Sequence, residues 1–557
     1  MDGGEESAGS RRSMLSRGAQ AGTNHVVEDL NVTTRETQDT GTPEGGRPGI
    51  WLPALILSAL AICVRLLVAT RREGIEVDGI IYLQNAQAIL AHWRSLNALH
   101  PPLYSALLAP FLGFGGDPEW TGRVVSAVLG GLWVWPSLWL ARETTEEDVT
   151  WSAGLLVALT PAAVEASTKV LSEAAFGLCL TIFLGCLART LRTVAWLPAG
   201  LTGVAGGLAT LARPEGMGYL VLGWGALISA PLWFGGAWTR RRVLTRLALA
   251  TACWLAVLSP YALVVKQQLG YWHWSGKAGI SVLFAETVGD ERQGSWQAPE
   301  LDESQAPQSA TEHFLSQSGP TLWRILINVH LVDKYVLTGL LTSGGLALVA
   351  LGFLHLRIRR PLAPSEWLLA VAPIPLAGFL PYLVSVRYFV SLVPPLSIIA
   401  GIGLARLGRL SDARPSGRLC ARSLLLFALV LASFAPWIVR PWFREDPRAI
   451  EKAAGLWLRQ TAGPGTIFVG AYPVIEYYAD ARSIGVRRQP LDEVIAQGRQ
   501  TGARYLIADN YRLLEAPPEV MLLASRGDAP APPLELVRIF EDRTGRRVLI
   551  FRILRSG

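Results

Sequence analysis

Charge is scarce in this chain: only 17% of its 557 residues are Asp, Glu, Lys or Arg, where a soluble protein carries about a quarter. Half of the residues are hydrophobic and the mean hydropathy is +0.31. That balance excludes a soluble single domain, a fibrous chain and a disordered one. Cysteine is scarce as well. Cys63, Cys179, Cys186 and Cys253 lie inside apolar runs, Cys420 lies in a basic segment, and no CxxC occurs. Neither a disulfide framework nor a cysteine-based metal site is expected. No internal repeat is present. The net charge of +7 comes from Lys and Arg set between apolar runs, a topogenic pattern rather than a nucleic-acid patch.

What is present is apolar sequence in long stretches. Charge-free runs of roughly 17 to 20 residues recur, enough to cross a hydrocarbon core of about 30 Å. About eleven spans are expected, near 51–70, 122–141, 151–164, 170–188, 196–212, 217–236, 247–265, 335–354, 367–383, 388–405 and 423–440. Residues 1–50 are rich in Gly, Ser, Thr and Glu without apolar periodicity. They read as a disordered tail and not as a cleavable signal, since the apolar region starts only at Trp51. Arg240, Arg241, Arg242 and Arg246 follow the sixth span, Arg357, Arg359 and Arg360 the eighth, and Arg406, Arg409, Arg414, Arg418 and Arg422 the tenth. This bias places those loops and the N-terminus in the cytoplasm. The acidic loop 142–150 falls on the same side, a mild conflict. The long segment 266–334 is then outside, as is everything after residue 443.

Residues 443–557 have a different texture. A helix is expected from Asp446-Pro447 to Leu458, and short strands at Thr466–Gly470 and Arg504–Ala508. Leu534–Phe540 and Arg547–Ile553 flank Asp542-Arg543-Thr544-Gly545 and read as a hairpin. The fold class is therefore a polytopic α-helical membrane protein, residues 51–442, with a small C-terminal α/β domain facing the periplasm.

The first outer segment, 71–121, holds the most informative residues. Ile80, Ile81, Leu83, Ala86, Ile89 and Leu90 can share one helix face suited to the membrane interface. Asp78 falls at the start of that helix, where the dipole favours a carboxylate. On the residues alone it reads either as an N-cap or as a functional acid.

In order along the chain come Asp78-Gly79-Ile80-Ile81-Tyr82 with Ala86 and Ala88, then His100-Pro101-Pro102-Leu103-Tyr104. Gly122-Arg123 opens the second span, Pro161 closes the third, and Arg387-Tyr388 precedes a Pro-Pro span. This order resembles the GT-C glycosyltransferase superfamily over roughly residues 51–410. The resemblance is to the branch with protein O-mannosyltransferases, aminoarabinose transferases and lipopolysaccharide-core enzymes. It implies a bacterial inner-membrane enzyme of the cell envelope. Such an enzyme moves a sugar from a polyprenyl phosphate to a glycolipid, glycan or protein acceptor, usually with inversion, and Asp78 is the expected general base. Relatives often carry Asp-Glu where this chain has Asp78-Gly79. A second carboxylate role is then absent or falls to Glu76.

The chemistry asks for a base near the acceptor and cations for the departing phosphate. Arg65, Lys169, Arg213 and Arg387 lie near outer span ends and are the candidate cations, each open also to snorkelling. Tyr388 fits a phosphate hydrogen bond or an aromatic belt. Glu173 fits a second acidic role or an ion pair with Lys169 four residues before it. Tyr82 and His100 are acceptor-side candidates, though the His100 segment also reads as a turn, as does Arg213-Pro214-Glu215-Gly216. Trp272, Trp274 and Trp296 read as interface anchors. No metal or other cofactor is expected, although a divalent cation is compatible with the superfamily. A transporter or flippase for a lipid-linked glycan, and a non-catalytic scaffold, are the alternatives. A transporter predicts repeated span groups and mid-membrane charges.

Overall fold

The computed structural model describes residues 49–92, 96–146, 148–276, 310–359, 364–411, 421–446, 448–470, 472–485, 490–510 and 533–554. The N-terminal tail, Trp296, Arg360, Arg414, Arg418 and Cys420 lie outside them.

The chain begins with α1 (Trp51–Ala69), α2 (Val77–Ala91), α3 (Leu103–Leu112), α4 (Pro118–Leu132), α5 (Val134–Thr144), α6 (Thr150–Leu159) and α7 (Pro161–Ala166). It continues with α8 (Glu173–Thr193), α9 (Trp196–Ala212), α10 (Gly216–Phe234) and α11 (Arg240–Leu269). Next come α12 (Ala310–Ser316), α13 (Ser318–Leu331), α14 (Leu337–Arg359), α15 (Pro364–Val371), α16 (Val386–Phe389), α17 (Val393–Ser411) and α18 (Ala421–Phe443). Among the described residues, eight helical stretches are long and apolar enough to cross a membrane. The expected spans at 151–164, 196–212 and 367–383 fall on apolar helices that are shorter than these eight: Thr150–Leu159, Trp196–Ala212 and Glu366–Phe379. The stretch expected from residue 335 already begins at Ser318, since α13 and α14 join through a π-turn.

Local chemistry sets several boundaries. Asp117 caps α4, accepting from the Glu119 and Trp120 amides at 2.8 and 3.1 Å, with Pro118 at the first helical position. Pro161 divides α6 from α7, because it has no N–H to offer Val157 and cannot continue the helix. The carbonyls thus left open are met by Arg65, which is fully buried in α1. Its guanidinium donates to Ala158 O at 2.7 Å, Val157 O at 3.4 Å and its own Ala61 O at 3.1 Å. Arg65 therefore neither snorkels nor joins the phosphate candidates; it closes the end of a neighbouring helix.

The C-terminal domain is an α/β sandwich. It contains α19 (Ala449–Ala462), β1 (Ile467–Val469), α20 (Pro473–Ala479), β2 (Arg482–Ile484), α21 (Leu491–Thr501), β3 (Tyr505–Asp509), β4 (Leu534–Glu541) and β5 (Arg547–Ile553). The sheet order is β2-β1-β3-β5-β4. β1 pairs in parallel with β2 and β3, while β5 is antiparallel to β3 and β4. Side chains alternate along β5. Leu549 and Phe551 pack with Val494 and Ile495 of α21, whereas Val548 and Ile550 pack with Leu458 of α19 and Ile475 of α20. The hairpin turn forms as expected, its Asp542 carboxylate accepting from the Thr544 and Arg546 amides. Strand β2 and helices α20 and α21 were not anticipated.

This domain docks on the 70–77 segment between α1 and α2. Arg448 reaches Glu76 at 3.3 Å, and Glu76 also holds Lys169 at 3.1 Å. Lys169 and Arg72 share Glu165 at 3.2 and 3.8 Å. Burial works to raise the Glu76 carboxyl, but Lys169 and Arg448 outweigh it and hold it at about 2. Burial likewise opposes the charge on Lys169, but Glu76 and Glu165 raise it.

Two outcomes follow from this packing. Arg65→Met strands two buried carbonyls, each worth about 1–3 kcal/mol, so thermal denaturation in micelles should show a loss of roughly 2–5 kcal/mol. An unchanged midpoint would remove the capping role. Because the folded value of Glu76 lies below its ordinary 4.5, its stabilisation is complete above that pH and drains away as pH falls toward about 2. The melting temperature should therefore drop between about pH 5 and 3. Glu76→Gln should be less stable at pH 7 and show a shallower acid drop; an equally steep drop would assign the acid sensitivity elsewhere.

Candidate functional site

Four separate elements bring the predicted residues to one end of the bundle. The segment entering α2 is extended at Glu76 and turns helical at Val77, which puts Asp78 in the first helical turn. The N-cap position belongs to Glu76, whose side chain makes no capping bond, so Asp78 is not the cap. Glu173 opens α8. Arg213 ends α9, where the Gly216 amide donates to its carbonyl at 3.1 Å and closes the expected turn. Arg387 lies in the short helix α16, which leads through a 3₁₀ turn into α17.

Arg387 bridges two of these elements. Its Nη2 donates to Asp78 Oδ2 at 2.5 Å and its Nε to Glu173 Oε1 at 2.9 Å. The same Glu173 oxygen takes Arg213 Nη1 at 2.8 Å, and Arg213 Nη2 reaches Glu215 at 2.8 Å. The network is graded in exposure. Glu173 and Arg213 are 1% and 9% exposed, whereas Asp78 and Arg387 are 27% and 32% exposed. A buried carboxylate–guanidinium base thus supports an accessible Asp78–Arg387 pair.

Aromatic rings line the site. The Arg213 and Arg387 guanidinium carbons each lie 5.4 Å from the Tyr388 ring, within cation–π range. Tyr388 in turn stacks on Phe379 at 4.8 Å. On the α2 side, Tyr82 donates to Ser172 Oγ at 2.9 Å and packs edge-on against Tyr104 and His100 at 5.1 and 6.2 Å. His100 thus lies against the Tyr82 ring.

Several placements differ from the local reading of the sequence. Glu173 pairs with Arg387 and Arg213, not with Lys169, because residues 169–172 are not helical and the four-residue spacing brings no shared face. Lys169 joins Glu76 and Glu165 in the second network. Gly79 has a steric reason: a Cβ there would lie 2.9 Å from Val170 O and from Ile75 Cγ1. A side chain at this position has no room unless Val170 or Ile75 shifts. Sequence reasoning missed Glu215, Ser172 and Arg448. The Arg213–Glu215 proximity was a usable signal for the first; nothing local marks the other two. Of the outer tryptophans, Trp272 is exposed and Trp274 stacks on His273 at 4.1 Å. Among the described residues no group of three or more His, Cys, Asp or Glu is placed to hold a metal ion.

The family model described as dolichyl-phosphate-mannose-protein mannosyltransferase matches residues 99–263. Comparison with curated protein sequences gives no match. Solved structures are more informative. The apo oligosaccharyltransferase of Archaeoglobus fulgidus superposes over 90% of this chain and 74% of its own, with a TM-score of 0.56 and 13% identity. Apo ArnT from Cupriavidus metallidurans superposes over 89% of this chain and 97% of its own, with a TM-score of 0.54 and 15% identity. The same protein bound to undecaprenyl phosphate gives a TM-score of 0.52 at 15% identity, over 89% and 97% of the two chains. The likeness spans both the helical bundle and the C-terminal domain. It bears out, at the level of fold, the resemblance carried by Asp78, His100–Tyr104 and Arg387-Tyr388: the chain has the GT-C glycosyltransferase fold.

Proposed function

We propose that this chain is a glycosyltransferase that takes a sugar from a polyprenyl-phosphate carrier and passes it to a glycolipid, glycan or protein acceptor. The setting is the outer face of a bacterial inner membrane, with the N-terminus in the cytoplasm. Asp78 is the general base and Arg387, backed by Arg213, receives the phosphate. The observation that carries this reading is the accessible Asp78–Arg387 pair resting on the buried Glu173–Arg213–Glu215 group.

The step balances without a cofactor. The acceptor hydroxyl or amine gives its proton to an Asp78 oxygen as its own heteroatom attacks the anomeric carbon. The bond from that carbon to the phosphate oxygen breaks, and the electron pair leaves with the polyprenyl phosphate. Attack from the face opposite the phosphate inverts the anomeric centre. The leaving phosphate needs positive charge rather than a proton, and a guanidinium presents a fork suited to its oxygens. Tyr388, against both guanidiniums, helps fix their planes. Glu173 serves as a structural counter-charge that keeps two arginines at short range. Tyr82 and His100 form the wall behind Asp78 on the acceptor side. Glu76 and Lys169 belong to the support of this site and not to the phosphate contact.

The test uses purified protein in lipid nanodiscs, a panel of polyprenyl-phosphate sugars and envelope glycolipid acceptors. Release of polyprenyl phosphate is followed by mass spectrometry. Asp78→Asn should lower turnover by about 10²–10⁴-fold, the range for loss of a general base. Arg387→Lys keeps charge but loses the planar fork, and should slow turnover while raising the KM for the donor. Equal turnover by the parent and Asp78→Asn would eliminate Asp78 as the base.

A further inference from the structure

The segment that delivers Asp78, residues 70–76, contains no helix or strand of its own. Several of its polar groups are met from outside. The Arg123 guanidinium donates to the Arg72 carbonyl and, at 3.0 Å, to the Gly74 carbonyl. The Glu73 amide donates to Asp446 Oδ2 at 3.1 Å. Glu76 Oε2 accepts from both Nε and Nη2 of Arg448 at 3.3 Å. Arg448 is itself fixed by two 3.1 Å bonds from Nη1 to the buried carboxylate of Glu451. Its stem fills the space beside Gly74, where a Cβ would lie only 2.2 Å from Arg448 Cβ.

Arg123 is in turn held from the C-terminal domain. It pairs with the buried Glu119, whose Oε2 accepts from Lys452 Nζ at 3.0 Å and Tyr478 Oη at 2.7 Å. Both grips on the 72–76 segment therefore end in residues of the C-terminal domain. Asp78 lies two residues beyond Glu76. A misplacement of about 1 Å at a reacting group can cost on the order of 10²-fold in rate.

We infer that Arg448 is a positioning residue for Asp78, and that through it the C-terminal domain sets the place of the base. The inference rests on the function proposed above for Asp78. It gives the C-terminal domain a role in the transfer step that does not require it to touch either substrate.

Arg448→Met, Arg448→Lys and Gly74→Ala test it in the full-length protein in nanodiscs. Gly74→Ala leaves every charge in place and displaces Arg448 by contact alone. Arg543→Ala, which breaks an exposed pair with Glu445 away from the 72–76 segment, controls for the loss of an ion pair elsewhere in the same domain. Turnover is measured alongside hydrogen–deuterium exchange of residues 71–80. Arg448→Met and Gly74→Ala should lower kcat at least about 10-fold with the donor KM within about twofold, and should speed exchange in 71–80. Exchange in β3 and β5 should stay protected, Arg448→Lys should recover part of the rate, and Arg543→Ala should match the parent. Unchanged kcat and unchanged exchange in Arg448→Met would overturn the inference. So would a loss of protection spread equally over β3 and β5, which would make Arg448 a folding residue only. If the parent protein releases no polyprenyl phosphate from any donor, the proposed function fails, and the exchange of 71–80 alone still decides whether Arg448 orders the segment.

Discussion

A carboxylate or guanidinium near the apolar part of a membrane protein is costly unless it finds a partner, and this fold is arranged around that constraint. Glu173, at the first position of α8, accepts two arginines on one oxygen. One closes α9 and the other comes from α16, and the second arginine also takes Asp78 from α2. Removing Glu173 would leave two guanidiniums facing each other across a buried gap. Breaking such a pair by deleting one partner is strongly destabilising, by about 3–5 kcal/mol. The ion pairs thus decide how these helix ends meet, and the apolar packing below them follows.

Close approach of the backbone is the second requirement. The non-helical stretch between α7 and α8 sits against α2 and α4 at positions where no side chain fits. A Cβ at Gly79 would meet Val170 O, one at Gly122 would meet the Val170 methyls at 2.9 Å, and one at Gly130 would meet Ser167 Oγ at 2.1 Å. From this seat Ser172 reaches Tyr82 and Lys169 reaches Glu76. The small residues are therefore part of how the charges are placed. The residue after Asp78 in particular cannot carry a side chain unless Val170 or Ile75 shifts.

Which parts of this were legible depended on the range of the interaction. Helix and strand signals are local, so most apolar stretches and the strands β1, β3, β4 and β5 could be read from periodicity and turn residues. Hydropathy carried the stretch 151–164 through Pro161, where the helix breaks, while the bounds of Trp196–Ala212 matched the apolar run 196–212. Asp78 and Arg387 stood out by residue type and by the GT-C resemblance. Their direct pairing joins positions 309 apart in the chain, and nothing local encodes it. Glu173 misled because an i,i+4 rule was applied across a segment that is not helical. Arg65 looked like a phosphate ligand by charge, yet the one clue to its role was Pro161, nearly a hundred residues away. The docking of the C-terminal domain through Arg448 and Lys452 left no mark, since surface ion pairs look alike whether or not a partner surface exists.

On the proposed reading, the pairing of Asp78 with Arg387 has a chemical consequence. A carboxylate held by a guanidinium has its charge stabilised and is a weaker base than a free one. The same guanidinium is the group nearest to hand for an incoming phosphate. A phosphate arriving at Arg387 competes with Asp78 for the guanidinium, while Glu173 holds Arg387 in the site. The Arg448 grip on the segment before Asp78 acts on the other coordinate. On the inference drawn for Arg448, its contact with Glu76 fixes the carboxylate's place while the ionic partner of Asp78 changes.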